Sequence, residues 1–300
     1  MAEIKKSGII TICGRPNVGK STLTNALVGE KVAIVTNKPQ TTRNRICGVR
    51  TRGESQFVFV DTPGLHKART RLGDYMVNVV KESVADVDAV MLLVEPIPNV
   101  GAPEEQLIAR IKTLRCPAVL VINKVDTLDK KEKLLEVIQT YEQAHQFQAV
   151  VPISAKTGEG VDELLDVLEG YLPKGPQLFP EDMTSDQPER QMMAEILREK
   201  LLLCLDKEIP HGTAVEITRF TEREDTGIVD LDVTIYCEKA SHKGIIIGKH
   251  GAMLKRISSL ARRDIEKFMG AKVYMETWVK VKENWRDNVN FIRARGYDEQ

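Results

Sequence analysis

Gly14-Arg15-Pro16-Asn17-Val18-Gly19-Lys20-Ser21 is the stretch whose reading decides the fold. It follows the apolar run Ile9-Ile10-Thr11-Ile12-Cys13 and precedes Thr22-Leu23-Thr24-Asn25-Ala26-Leu27, whose apolar residues repeat at helical spacing. A buried strand therefore turns through a glycine-bearing loop into a helix N-terminus. Backbone N–H groups in such a loop and the positive end of the helix dipole converge on one anion. In that geometry Lys20 reaches the outer phosphates of a nucleotide, and the Ser21 hydroxyl ligates Mg²⁺. Residues 14–22 are thus candidate triphosphate contacts, and none of them selects a base.

Three hundred residues, 42% hydrophobic and 29% charged, suit about two globular domains. The chain opens Met1-Ala2-Glu3-Ile4-Lys5-Lys6, which carries no leader signature, and no apolar run approaches the length of a membrane span. Cys13, Cys47, Cys116, Cys204 and Cys237 are scattered without metal-type spacing, so a cytoplasmic setting is expected, with each thiol a small apolar side chain. The formal net charge of zero hides an asymmetry: residues 239–297 hold 14 Lys and Arg against 5 Asp and Glu, and the remainder holds 29 against 38. A basic C-terminal third beside an acidic remainder points to a polyanion partner for that third.

From residue 8 to about 170, short β-rich runs alternate with amphipathic stretches. Strands are expected at 8–13, 46–51, 56–61, 88–95, 117–123 and 149–153, and helices around 21–28, 72–85, 103–114, 130–144 and 161–170. The alternation predicts an α/β domain with a mainly parallel sheet, helices on both faces, and its ligand at the C-terminal strand ends. The remaining polar motifs fall at those ends. Asp61-Thr62-Pro63-Gly64 places a carboxylate that can hold Mg²⁺ through a water and a glycine that admits a γ-phosphate. Asn123-Lys124-Val125-Asp126 places a carboxylate able to accept two hydrogen bonds from guanine, a donor pair that adenine lacks. There Lys124 can lie along the base and Asn123 can tie the loop to the phosphate loop, while Ser154-Ala155-Lys156 adds a backbone contact to the guanine oxygen.

These four motifs, in this order, resemble those of the translation-factor-related GTPases. The resemblance implies binding of GTP and GDP, hydrolysis served by Lys20, Thr42, Asp61 and Gly64, and Mg²⁺ held by Ser21, Thr42 and, through water, Asp61. Gln40-Thr41-Thr42-Arg43 resembles their first switch, and the resemblance favours Thr42 over Thr41 as the metal-sensing hydroxyl. Where Ras-like members carry a water-orienting glutamine, this chain has Leu65, so slow unassisted hydrolysis is expected. Related potassium-stimulated GTPases carry an asparagine at the place of Asn17, which implies K⁺ as a second cation. His66 is expected to be a solvated switch residue.

Between residues 171 and 190 lie Pro173, Pro176, Pro180 and Pro188, a semi-rigid connector. The expected division is a nucleotide domain at 1–172, a linker at 173–188 and a second domain at 189–300. That second domain reads as a helix at 190–205, strands at 214–220 and 229–237, the segment Gly248-Lys249-His250-Gly251, a helix at 252–268 striped by Leu254, Ile257, Ala261, Ile265 and Phe268, and a strand at 272–282. In the last strand Val273, Met275, Thr277, Val279 and Val281 are expected in the core; Lys272, Tyr274, Glu276, Trp278, Lys280 and Lys282 lie on the other face. The helix-first order with a basic Gly-x-x-Gly turn resembles a type II KH domain, an α+β fold that clamps single-stranded RNA. Gly248, Lys249, His250, Gly251, Lys255, Lys280 and Lys282 are the candidate RNA contacts.

One GTPase domain followed by this KH arrangement is similar over the full length to the Era family of bacterial GTPases. That resemblance implies a monomeric GTP-hydrolysing switch that binds the 3′ end of small-subunit ribosomal RNA, acts in small-subunit assembly and touches the membrane peripherally. Two alternatives stay open: a nucleotide-gated RNA-binding module with little hydrolysis, and a signalling GTPase at the membrane surface.

Overall fold

The computed structural model describes residues 3–38, 40–63, 70–82, 87–130 and 132–295. They fall into two compact units: one of residues 1–33, 42–67 and 76–186, the other of residues 34–41, 68–75 and 187–300.

The first unit is built on six strands, β1 (Lys6–Cys13), β2 (Ile46–Arg52), β3 (Ser55–Asp61), β4 (Ala89–Val94), β5 (Ala118–Ile122) and β6 (Ala149–Pro152). Their order across the sheet is β2-β3-β1-β4-β5-β6, and only β2 runs antiparallel to its neighbour. Helices α1 (Lys20–Val28), α3 (Ala102–Ile111) and α4 (Glu132–Ala144) connect them, α5 (Val161–Glu169) follows β6, and α2 (Arg71–Glu82), between β3 and β4 in the chain, has residues 71–75 in the second unit. A sheet covered on both faces makes its strands apolar on both sides. Ile10, Ile12, Met91 and Leu93 pack on one face with Leu23 and Leu27 of α1 and Leu164 and Leu168 of α5. Val90, Leu92, Leu120 and Ile122 pack on the other with Leu107 and Ile108 of α3 and Val137 and Tyr141 of α4.

The proline-rich segment is strapped along the antiparallel edge. Val49 N–H donates to the Thr184 carbonyl (2.8 Å), and Leu178 and Phe179 N–H both donate to Gln56 Oε1 (2.8 and 2.9 Å). These bonds cover polar groups that an edge strand otherwise exposes.

The second unit runs α6 (Glu189–Cys204), β7 (Thr213–Glu222), β8 (Val229–Cys237), α7 (Ala240–Ile247), α8 (Ala252–Met269), β9 (Val273–Val281) and a short α9 (Val289–Arg293). Its sheet is ordered β7-β8-β9, with β7 antiparallel and β9 parallel to β8, the type II KH topology. Met193, Ile196, Leu197 and Leu201 of α6 and Ile257, Ala261 and Ile265 of α8 close over Leu231, Val233, Ile235 and Val279.

Two side chains expected in this core lie outside it. Phe268 is 38% exposed because it falls in the last turn of α8, past the end of the buried stripe. Val281 is 38% exposed because it closes β9, an edge strand with one neighbour. Among the described residues no helix is long and apolar enough to cross a membrane.

Candidate functional site

β1 delivers the chain into the 14–19 loop at the C-terminal edge of the sheet, and α1 leaves it with Lys20 as its first residue. Gly19 has φ 105°, and a Cβ there would stand 2.4 Å from Asn123 Nδ2, so both conformation and close approach require glycine. The Lys20 ammonium is buried inside the loop, where it donates to the carbonyls of Gly14 (3.1 Å) and Arg15 (3.0 Å).

Three oxygens meet next to it. Ser21 Oγ lies 2.7 Å from Asp61 Oδ2 and 2.8 Å from Thr42 Oγ1, and Thr42 Oγ1 is 3.5 Å from the same carboxylate. The second carboxylate oxygen, Asp61 Oδ1, is buried with no hydrogen-bond partner. Burial raises the Asp61 pKa and lowers that of Lys20, and each charge partly offsets the effect on the other. A desolvated carboxylate beside a desolvated ammonium is matched by a ligand that carries both a cation and phosphates. Thr41 is occupied differently: its hydroxyl donates to the Lys38 carbonyl (2.6 Å) and meets Thr36 Oγ1 (2.7 Å). Thr62 Oγ1 anchors the end of β3 by donating to the Ile12 carbonyl (3.1 Å), and Pro63 after it is buried. Gly64, Leu65 and His66 lie outside the described residues.

The loops after β5 and β6 join the 14–19 loop through one buried amide. Asn123 Nδ2 donates to the Val18 carbonyl (2.9 Å), and Asn123 Oδ1 accepts the Ala155 N–H (2.9 Å). The Ala155 amide therefore ties two loops together here. Ser154 Oγ donates to Asp126 Oδ1 (2.7 Å), which fixes the carboxylate while leaving the residue exposed. Lys124 takes φ 63° and donates from Nζ to the Asn17 carbonyl (2.8 Å); Asn17 itself has φ 65° and is exposed. Val125 opens a short 3-10 turn that presents Asp126, and Lys156 is exposed. Pro16 is half-buried within the phosphate loop, and Thr22 lies in the first turn of α1.

In the second unit the 248–251 turn joins α7 to α8. Gly248 has φ 72° and ψ 175°, and a Cβ on it would stand 2.7 Å from Met253 Cβ and 2.9 Å from Met253 N. Gly251 has φ 78° with open space around it. Lys249, His250 and Lys255 are exposed on this turn and the start of α8. Tyr274 (54%), Trp278 (44%), Lys280 and Lys282 are exposed on or just past β9, and Lys282 Nζ sits 5.6 Å above the Phe291 ring.

Sequence reading missed Trp285, fully buried with Nε1 donating to the Gly212 carbonyl (2.9 Å), because a short turn after the last strand has no periodicity. It also missed Glu95 and Glu104, which face Arg15. Their signal is an acid beside the strand that separates the two nucleotide loops, visible only once strand order is known.

A family model described as 50S ribosome-binding GTPase matches residues 9–124, and one described as KH domain matches residues 208–286. GTPase Era of Ruminiclostridium cellulolyticum is 51% identical over 292 residues, covering 97% of each chain. A crystal structure of an Era variant from Aquifex aeolicus bound to GDP.AlF4- is 37% identical, with a TM-score of 0.94 over 98% of this chain and 100% of that one. A crystal structure of Era in complex with MgGDPNP and nucleotides 1506–1542 of 16S ribosomal RNA matches with the same identity, coverage and TM-score.

Proposed function

This chain belongs to the Era family of GTPases, and on that premise we propose that it is a GTP-driven switch whose KH unit binds the 3′ end of small-subunit ribosomal RNA during assembly of the small subunit. The observation that carries the reading is one chain holding both the guanine-nucleotide loops and, in its second unit, an exposed basic Gly-x-x-Gly turn together with an edge strand that bears exposed aromatic side chains. A relative of matching architecture was solved with that RNA segment, which supports the same target here. The functional division we infer is 1–172 for nucleotide, 173–188 for the connector and 189–300 for RNA.

Ser21 Oγ and Thr42 Oγ1 would hold Mg²⁺ directly, and Asp61 through a water; the unpartnered Asp61 Oδ1 is the acceptor that such a water needs. The cation supplies charge stabilisation at the β- and γ-phosphates. Lys20, held by two loop carbonyls, is placed to transfer its hydrogen bonds to phosphate oxygens. Asp126, preset by Ser154, accepts from the guanine edge. We also propose K⁺ beside exposed Asn17; equal turnover in potassium and sodium salts would exclude it.

Coupling to RNA follows from how the first switch is divided. Residues 34–41 belong to the KH unit: the Arg198 guanidinium donates to the carbonyls of Gln40 (3.5 Å) and Thr41, and Glu199 Oε1 accepts the Val35 N–H (2.9 Å). Thr42, next in the chain, stands among the metal-binding oxygens. Capture of Thr42 by Mg²⁺ and the γ-phosphate thus acts on the residue adjoining a segment that α6 holds, and through that covalent link it biases the population of KH states. Fluorescence anisotropy with a single-stranded oligonucleotide of the 16S 3′ end tests the reading. Affinity is expected to differ between GDP and a non-hydrolysable GTP analogue and to exceed that for a scrambled sequence; equal affinities would refute it.

A further inference from the structure

The sheet order places β4 between β1, which feeds the phosphate loop, and β5, which feeds the base-reading loop. The residue that leaves β4 at its C-terminal end therefore stands close to both loops, and here it is Glu95. Its two carboxylate oxygens are divided between them. Oε2 accepts from the Arg15 guanidinium of the phosphate loop, and Oε1 accepts from the Lys124 ammonium of the base loop. The side chain is 22% exposed, with Arg15 at 34% and Lys124 at 35%, so the pairs are partly withdrawn from solvent.

Both loops need such a restraint. Lys124 holds a left-handed backbone that its side chain disfavours, Asn17 holds another that asparagine tolerates better, and they are linked by Lys124 Nζ donating to the Asn17 carbonyl (2.8 Å). Strained residues persist only where their surroundings over-determine them. Arg15 is tied further by the carboxylate of Glu104, buried in the first turn of α3, at 3.6 Å. Its guanidinium is thus engaged by two carboxylates and is not free to serve as an arginine finger on the γ-phosphate.

We propose that Glu95 is a positioning residue for guanine-nucleotide binding, holding Arg15 and Lys124, one cation from each loop, in the bound arrangement and thereby setting the rate at which nucleotide leaves. This rests on the guanine-nucleotide reading above and adds to it a residue that touches neither base nor phosphate. Release of nucleotide requires the two loops to part, and with Glu95 in place they part only by breaking charge-assisted hydrogen bonds on both sides of one carboxylate.

Stopped-flow release of fluorescent GDP from the full chain tests it. Glu95→Gln keeps the size of the side chain and removes its charge; release is expected to accelerate roughly 10- to 100-fold, the scale of two charge-assisted hydrogen bonds reduced to neutral ones. KM for GTP should rise by a larger factor than kcat falls. Glu95→Asp keeps the charge with a shorter reach and should fall between. Adding Arg15→Gln to Glu95→Gln should accelerate release by less than the product of the two single effects, because both changes remove the Arg15–Glu95 bond and only the Arg15–Glu104 pair is lost anew. Wild-type release from Glu95→Gln, or additive effects in the double variant, would overturn the proposal, as would unchanged release with an equal loss of Tm in nucleotide-free and GDP-loaded protein. A wild-type chain that holds no GDP would overturn the guanine-nucleotide reading together with it, whereas the other outcomes leave that reading standing.

Discussion

The two glycines of the 248–251 turn differ in a way that lets strain be separated from charge. At Gly248 the backbone lies in a region open almost only to glycine, and an added Cβ would meet the Met253 backbone nitrogen at 2.9 Å. Any substitution there costs about 3 kcal/mol or more and confounds RNA binding with unfolding. At Gly251 an added Cβ meets nothing within 4 Å, and only the left-handed φ of 78° opposes it. That costs about 1–2 kcal/mol, a fall in the melting temperature of the KH unit of roughly 4–16 °C. Gly251→Asp adds a carboxylate beside the nucleic-acid backbone. A unit charge about 5 Å from a phosphate at an exposed site is worth about 1–3 kcal/mol, or roughly 5- to 150-fold in Kd. Gly251→Ala carries at least as much backbone strain, because aspartate tolerates the left-handed region better than alanine, and adds no charge. The assay is anisotropy of a labelled single-stranded RNA across a salt series, with Tm recorded on each variant. Gly251→Asp should weaken binding most at low salt and flatten the salt slope by about 0.7 for each phosphate no longer neutralised, while Gly251→Ala stays near wild type. Equal weakening by the two variants, or wild-type binding by Gly251→Asp, would refute the clamp.

Asn123→Ala leaves the Val18 carbonyl and the Ala155 N–H without their partner, at about 1–3 kcal/mol each, so GDP affinity by calorimetry should fall by roughly 100-fold or more. Thr42→Val keeps the shape of a buried side chain and removes the oxygen 2.8 Å from Ser21; titration in Mg²⁺ should show a loss of GTP-analogue affinity well above any loss for GDP. Trp285→Phe deletes the bond to the Gly212 carbonyl in a fully buried site, at about 1–3 kcal/mol, and should lower the melting of the KH unit by several degrees in a thermal scan while GTP turnover is retained.

What the sequence disclosed tracks how strongly burial constrains it. Strands such as β4 are apolar on both faces because helices cover both sides, so runs like Met91-Leu92-Leu93-Val94 stand out without alignment. The same logic fails at edges. Val281 continues the alternation of β9 yet faces solvent, because an edge strand has fewer neighbours to bury it. α9 spans only five residues and depends on Asn288 accepting the Phe291 N–H (3.0 Å), a local cap without periodicity. The proline-rich connector shows the limit of composition: prolines announce a break in helix, but its seat along β2 and β3 depends on Gln56, a buried polar side chain that only a strand edge in need of partners explains. Motif residues were legible because nucleotide chemistry fixes both their types and their strand-end positions. Glu95 was not, because its role comes from β4 lying between β1 and β5, a neighbourhood created by topology and absent from any spacing along the chain. Supporting residues of this kind answer to the scaffold, whereas ligand-touching residues answer to the ligand; a reading of motifs alone therefore recovers the second set and leaves the first to the fold.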